Sequence, residues 1–236
     1  QDSGLDDEMT LNTFHFNAAL GALEKAGWWR EAVKLLSEML EDPYLKPTAV
    51  TYGSVIGACA RSGQWERAIH LLGEASQLGL RWTSSMCTSA ISACERSGKA
   101  VAALQILVMM DEHSTRKDSH VYNAAMAACS RGSLWRRSLG LFDDMALNRL
   151  GPDIISFNAL LSTCARASEE GLRMKDGSDM KATKWQEAIQ IFHEVKNLGL
   201  PQDTFLYNTM IDCLGCAHRW ELALSAFDEM SGHVKQ

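Results

Sequence analysis

Four asparagines follow an aromatic residue, in Phe16-Asn17, Tyr122-Asn123, Phe157-Asn158 and Tyr207-Asn208. Tyr52-Gly53 fits the same slot without a side chain, and Thr88 occupies it after Cys87. A carboxamide donates and accepts hydrogen bonds at once, so a row of them could recognise the polar edges of a ligand. A second row holds Thr48, Thr83, Asp118, Asp153 and Asp203. A carboxylate beside an amide can fix which way the amide faces. The plainer role of both rows is helix capping, and the two roles are compatible. A third row is cationic: Lys25, Arg61, Arg96, Arg131 and Arg166, breaking only at Cys216. Such a column could follow a chain of phosphates. At the end of a helix it would also complement the helix dipole.

Other chemistries find no support. The seven histidines show no HExxH or triad arrangement, and neither GxxxxGK[ST] nor GxGxxG occurs. Cys213-Leu-Gly-Cys216 is a lone CxxC, whereas a tetrahedral zinc site needs a second pair or suitably spaced histidines. The sequence therefore predicts no catalysis, no cofactor and no metal. With 46% hydrophobic and 22% charged residues, the chain is not a disordered tail, a collagen or a coiled coil. The net charge of −6 argues against non-specific nucleic-acid binding, so any such binding needs a local basic stripe. The longest nearly uncharged apolar run, Ala100 to Met110, is too short to span a bilayer. Residues 1–12 open with Asp2, Asp6, Asp7 and Glu8 and read as an acidic flank with no visible targeting leader.

The rows must be positioned by a repeat. Cys59, Cys94, Cys129 and Cys164 stand 35 residues apart and read as small buried packing residues. A tryptophan recurs at 29, 65, 135, 185 and 220, read as core, with a small residue three further on (Ala32, Ala68, Ser138, Ala188, Ala223). Methionine recurs at 39, 110, 145 and 230. The units are 13–48, 49–83, 84–118, 119–153, 154–203 and 204–236. Each reads as two helices. In the fourth, Tyr122, Ala125, Met126 and Cys129 form one stripe, and Trp135, Leu139, Phe142 and Met145 form the next. Ala26-Gly27, Ser62-Gly63, Ser97-Gly98 and Gly132-Ser133 break the helices within units, while Pro47-Thr48 and Pro152-Asp153 lead into new ones. Helix pairs of this size must stack to bury their faces, which predicts an all-α, right-handed α-solenoid of about six helix-turn-helix repeats with a concave surface.

The period, the aromatic-Asn pair, the glycine before the second helix, the Ala-then-Met order and the closing Pro-Asp resemble the pentatricopeptide repeat family over residues 13–236. Tetratricopeptide repeats, with a period of about 34, place Trp inside the first helix; here the tryptophans open the second. The resemblance implies single-stranded RNA binding, one base per repeat, in a mitochondrion or plastid. It implies that the fifth and last residues of a repeat read one base together. Asn123/Asp153 and Asn158/Asp203 then match uracil, and Thr88/Asp118 matches guanine. Asn17/Thr48 leans to a pyrimidine, Gly53/Thr83 departs from the pattern, and the partner slot of Asn208 lies past residue 236. The implied core is 5′-GUU-3′. The second residues, Phe14, Val50, Ser85, His120, Ile155 and Phe205, would pack against bases, and the cationic row would lie near phosphates.

Two departures from the repeat stand out. The fifth unit carries an insertion at about residues 168–182, expected as a loop between its helices. In the third unit, Val101, Ala102, Gln105, Val108 and Met109 stand where other units have charges such as Arg30, Glu31, Lys34 and Glu38. This outward apolar patch predicts a protein interface. The alternative function is therefore a scaffold subunit of a larger organellar complex, whose groove holds protein or nothing.

Overall fold

The computed structural model describes residues 12–173 and 180–234, with side-chain surroundings for 12–167 and 185–231. The described residues form helix pairs and no strand. The pairs are α1 (Thr13–Ala26) with α2 (Trp29–Glu41), α3 (Ala49–Arg61) with α4 (Trp65–Gln77), and α5 (Ser84–Arg96) with α6 (Ala100–Glu112). They continue as α7 (Ser119–Arg131) with α8 (Trp135–Leu147), α9 (Ile154–Arg173) with α10 (Met180–Asn197), and α11 (Thr204–Cys216) with α12 (Trp220–Val234).

Each odd-numbered helix packs against the next odd-numbered helix; α2, α4, α6, α8 and α10 each pack between two odd-numbered ones, and α12 packs against α11. Even-numbered helices make no comparable contact with one another. The odd-numbered helices are therefore the closely stacked inner layer of an α-solenoid, and the even-numbered ones fan out behind them. The repeated residues explain the close stacking. Cys59, Cys94, Cys129 and Cys164 are fully buried in the inner layer, as are Ala32, Ala68, Ala103, Ser138 and Ala188 where the outer helices approach it. Small side chains let helix axes come near, while Met39, Met110 and Met145, also fully buried, fill the remaining gaps.

The turns inside repeats one to four and six each place one residue in the left-handed region. Gly27, Gly63 and Gly98 supply it at φ of 72°, 68° and 67°. Ser133 and His218 adopt it at 53° and 56° despite carrying a Cβ. Adjacent turns are also tied together: the Ser62 hydroxyl donates to the Gly27 carbonyl and the Ser97 hydroxyl to the Gly63 carbonyl, each at 2.6 Å.

Three expectations change. The described ends of the fifth-repeat insertion are helical, because α9 runs through Arg173 and α10 begins at Met180. Glu169, Glu170, Leu172 and Arg173 are good helix formers, so the flanking helices extend into it; residues 174–179 lie outside the described residues, as do 1–11 of the acidic flank. The tryptophans are not fully core. Trp29, Trp65, Trp135 and Trp185 are half-buried, and Trp220 is exposed. A cation from the next repeat covers three of these rings: Arg67 over Trp29 at 5.6 Å, Lys99 over Trp65 at 5.5 Å and Arg219 over Trp185 at 4.8 Å. The outward patch is narrower than expected. Val101, Gln105 and Val108 are exposed, whereas Ala102 and Met109 are half-buried against the core. Residues 101, 105 and 108 share one line of the helix surface, and 102 and 109 are turned about 100° toward the neighbouring helices.

Arg149 is exposed and sits at φ 58° in the turn between the fourth and fifth repeats. Its side chain strains a backbone that glycine adopts freely. Arg149→Gly should raise stability by about 0.5–1 kcal/mol, read as a higher urea midpoint; an unchanged or lower midpoint would contradict the assignment of strain.

Candidate nucleic-acid interface

The first turns of the inner helices form one row, set by their caps. Thr48 accepts from the backbone N–H of Thr51 at 3.4 Å, Thr83 from Met86 at 3.2 Å and Asp118 from Val121 at 3.0 Å. Asp153 accepts from Ser156 at 2.8 Å, and Asp203 from Leu206 at 2.8 Å. All five residues of the second polar row are thus N-caps. A cap uses one oxygen, so a carboxylate keeps its other oxygen for the residue beside it.

That neighbour is the amide of the same repeat, on the preceding inner helix, in two cases. The Asn123 Nδ2 donates to Asp153 at 3.2 and 3.3 Å, and the Asn158 Nδ2 donates to Asp203 at 3.2 Å. In the first repeat the link runs through a third group. The Thr51 hydroxyl donates to Asn17 Oδ1 at 2.7 Å and lies 3.1 Å from the Thr48 hydroxyl. Ser156 does the same in the fourth repeat, donating to Asn123 Oδ1 at 2.7 Å while lying 2.9 Å from Asp153 Oδ1. Sequence reasoning missed Thr51 and Ser156. The available signal was a hydroxyl three residues after each cap, in Thr48-x-x-Thr51 and Asp153-x-x-Ser156.

The other predicted pairs are not joined. Thr88 donates to its own helix at the Ser84 carbonyl, 2.9 Å away, and Asp118 instead receives the Ser84 hydroxyl. Gly53 offers no side chain to Thr83; a Cβ there would make only ordinary contact, 3.6 Å from Met86 Cγ. Asn208 is exposed.

The second residues line the same edge and face solvent. Phe14 is 76% exposed, Val50 65%, Ile155 56% and Phe205 54%, with Ser85 and His120 also exposed. Lys25, Arg61, Arg96 and Arg131 lie in the last turns of their inner helices and Arg166 lies within the longer α9; all five are exposed. Arg131 differs from a free cation because its Nε donates to Glu95 at 3.2 Å. The thiols stay out of this surface. Burial raises Cys59, Cys94 and Cys129 to about 11 and Cys87 to about 12, so all four are protonated packing groups. Among the described residues, no three His, Cys, Asp or Glu side chains converge as a metal site, and no helix is long and apolar enough to cross a membrane.

An inner layer of capped helices, with an amide or hydroxyl row beside exposed apolar groups, defines a helical-repeat protein of the helix-turn-helix solenoid class. The PPR repeat family model matches residues 14–43, 50–80, 85–114, 120–150 and 205–233. These matches cover more than half of the chain, which belongs to the pentatricopeptide repeat family. The structure is similar to that of the pentatricopeptide repeat protein PPR10 from maize, with 25% identity and a TM-score of 0.72 over 94% of this chain and 30% of PPR10. PPR10 in complex with an 18-nt psaJ RNA element gives 23% identity and a TM-score of 0.61 over 95% of this chain and 34% of the other. The PPR domain of Arabidopsis thaliana protein-only RNase P 1, solved in complex with tRNA, matches with 12% identity and a TM-score of 0.67 over 86% of this chain and 98% of that domain. The latter two are likenesses of fold. This chain spans about a third of the length of PPR10. Among curated protein sequences, none matches it.

The caps make stability depend on pH. Burial pushes the Asp153 carboxyl up, but the Ser156 N–H and hydroxyl and the Asn123 amide outweigh it and hold the group below the ordinary carboxylate range. The folded pKa is therefore below the unfolded one. The stabilisation is complete above the unfolded value of about 3.9 and is lost as pH falls through the lowered folded value. Asp153→Ala should cost about 1 kcal/mol at pH 7 by urea unfolding, and the gap to wild type should shrink toward pH 3; a gap independent of pH would contradict this account.

Proposed function

We propose that this chain binds single-stranded RNA along the first turns of its inner helices, one base per repeat, running 5′ to 3′ from N- to C-terminus. The observation that carries the reading is the exposed row Phe14, Val50, Ile155 and Phe205, set among the amide and hydroxyl groups at 17, 88, 123 and 158. Isolated exposed apolar residues are ordinary, but four at the same turn of repeats one, two, five and six form a set of shelves for planar groups. Stacking on such shelves is worth about 1–3 kcal/mol per base. The neighbouring polar groups can then test each base edge.

The proposed core is 5′-GUU-3′, opposite repeats three to five. Thr88 commits its proton to the Ser84 carbonyl, so its hydroxyl offers an acceptor. That suits guanine, whose N1–H and N2–H groups are donors. The Asn123 and Asn158 amides, held by Asp153 and Asp203, suit uracil. Phosphates would follow Lys25, Arg61, Arg96 and Arg166, with Arg131 joining if it leaves Glu95. The reading includes one solenoid over 13–236, work in a mitochondrion or plastid, and action by occupying a transcript so that its processing, stability or translation changes. RNA complexes of maize PPR10 and the Arabidopsis PPR domain support it. The second reading, a scaffold subunit, is favoured by the outward Val101 and Val108, 64% and 59% exposed, and by the silent Gly53 slot.

Fluorescence anisotropy at roughly physiological salt separates the two. RNA containing GUU should bind more tightly than the same RNA carrying ACC, by about 5–100-fold per well-read base if RNA resembles DNA readout. Asn123→Thr/Asn158→Thr should move preference toward G at the last two positions. Absence of binding by folded protein would overturn the RNA reading and leave the scaffold. Because a side chain fits at residue 53, Gly53→Asn/Thr83→Asp should add a severalfold preference for U immediately 5′ of GUU; no change there would contradict the modular reading.

A further inference from the structure

Reading by the fifth and last residues leaves the Thr51 and Ser156 hydroxyls without an assigned role. Each belongs to the third residue of the repeat that follows an asparagine. The contrast between the fourth and fifth repeats is informative, because both carry Asn with Asp. At Asn123, both ends of the amide are held. Its nitrogen faces Asp153, its oxygen receives the Ser156 proton at 2.7 Å, shared with Asp153 Oδ1 at 2.9 Å, and the residue is buried, 7% exposed. At Asn158, only the nitrogen is held, by Asp203 at 3.2 Å. The third residue of the next repeat is Leu206, which is fully buried and has nothing to donate. The Asn158 Oδ1 is buried with no hydrogen-bond partner among the described residues. In the first repeat, where the last residue is Thr48 and carries no charge, Thr51 holds the Asn17 oxygen instead.

We infer that the third residue of the following repeat is a positioning residue for base selection, setting which hydrogen-bonding face the asparagine turns to RNA. This rests on the base-reading proposal above. With Ser156 in place, the Asn123 oxygen is already occupied, so what the amide offers outward is its remaining N–H. An N–H donates to the carbonyl O4 of uracil and opposes the N4 amino group of cytosine, which is also a donor. At Asn158 the oxygen is uncommitted, and an unpaired buried acceptor favours any arrangement that brings it a donor. Turning the amide would offer that oxygen to the cytosine amino group. The fourth repeat therefore discriminates U from C sharply, and the fifth tolerates both. Thr51 gives the first repeat the same donor-presenting amide without a carboxylate.

The test is the ratio of affinities for U and C, varied separately opposite repeats four and five of a GUU-containing RNA. In wild type the ratio should be larger at repeat four. Ser156→Ala should lower that ratio by roughly threefold to tenfold, the worth of one hydrogen bond. Ser156→Thr should restore it, and Leu206→Thr should raise the ratio at repeat five. Because Ser156 also accepts from the Asp153 N–H, a cap-only role would lower the melting temperature of Ser156→Ala and leave the ratio unchanged; that result overturns the inference while base reading stands. A second readout uses the free protein. The Asn123 side-chain amide protons, followed by NMR, should exchange faster in Ser156→Ala than in wild type or Ser156→Thr, and equal exchange overturns the positioning role whether or not RNA binds. If wild-type protein is folded and binds neither RNA, the base-reading proposal itself fails, and the specificity claim fails with it.

Discussion

One repeat of this chain cannot fold alone. Two helices of 13 residues each, such as α3 and α4, leave more apolar surface than they can cover between them. Everything else follows from the need to stack. Stacking requires small residues where helices meet, which is why cysteine, alanine and serine recur at fully buried places and why methionine fills what remains. It also requires register between repeats. The turn staples from Ser62 and Ser97 to the glycine carbonyls one repeat earlier help to hold it. Cations lying over the tryptophan rings of the preceding repeat add a second tie.

The same stacking makes the candidate site. Because odd-numbered helices pack on one another, the cap of one helix arrives beside the first turn of the helix before it. A capping carboxylate thereby meets an amide 30 residues away in the fourth repeat and 45 away in the fifth. Capping and base selection draw on the same carboxylate without conflict, since the group has two oxygens. Asp118 shows how the arrangement can divert: the Ser84 hydroxyl, one helical turn before Thr88, takes the oxygen that an amide takes elsewhere. The polar row is thus a chain of shared protons, and the identity of one neighbour changes what the next can offer.

Electrostatics fits a local rather than a global design. The chain carries a net charge of −6, yet four cations sit in the last turns of inner helices and a fifth, Arg166, at the corresponding position of α9. Glutamates such as Glu66 and Glu31 lie on the outer helices, while Glu95 ties down one member of the cationic row. Non-specific attraction would be weak under these conditions, and shelves and hydrogen bonds would carry most of the selectivity.

The repeat and the all-α class were legible in the sequence because stacking leaves a periodic trace: four cysteines each 35 residues apart have no other simple cause. Caps and turns were legible for the same reason, since Asp, Thr and Gly act on their nearest backbone. Three things were decided only by tertiary structure. The described ends of the insertion are helical because flanking helices propagate at little cost once started, where composition alone reads a loop. Ala102 and Met109 left the outward patch because helix rotation is set by the neighbours. The partners of each amide depended on which side chain of the next repeat came within hydrogen-bonding distance: Ser156 at Asn123, Leu206 in the equivalent place beyond Asn158, and Ser84 rather than Thr88 at Asp118. A sequence pattern specifies residue types at each slot. The donor or acceptor that meets them across a repeat boundary is fixed by how the helices dock.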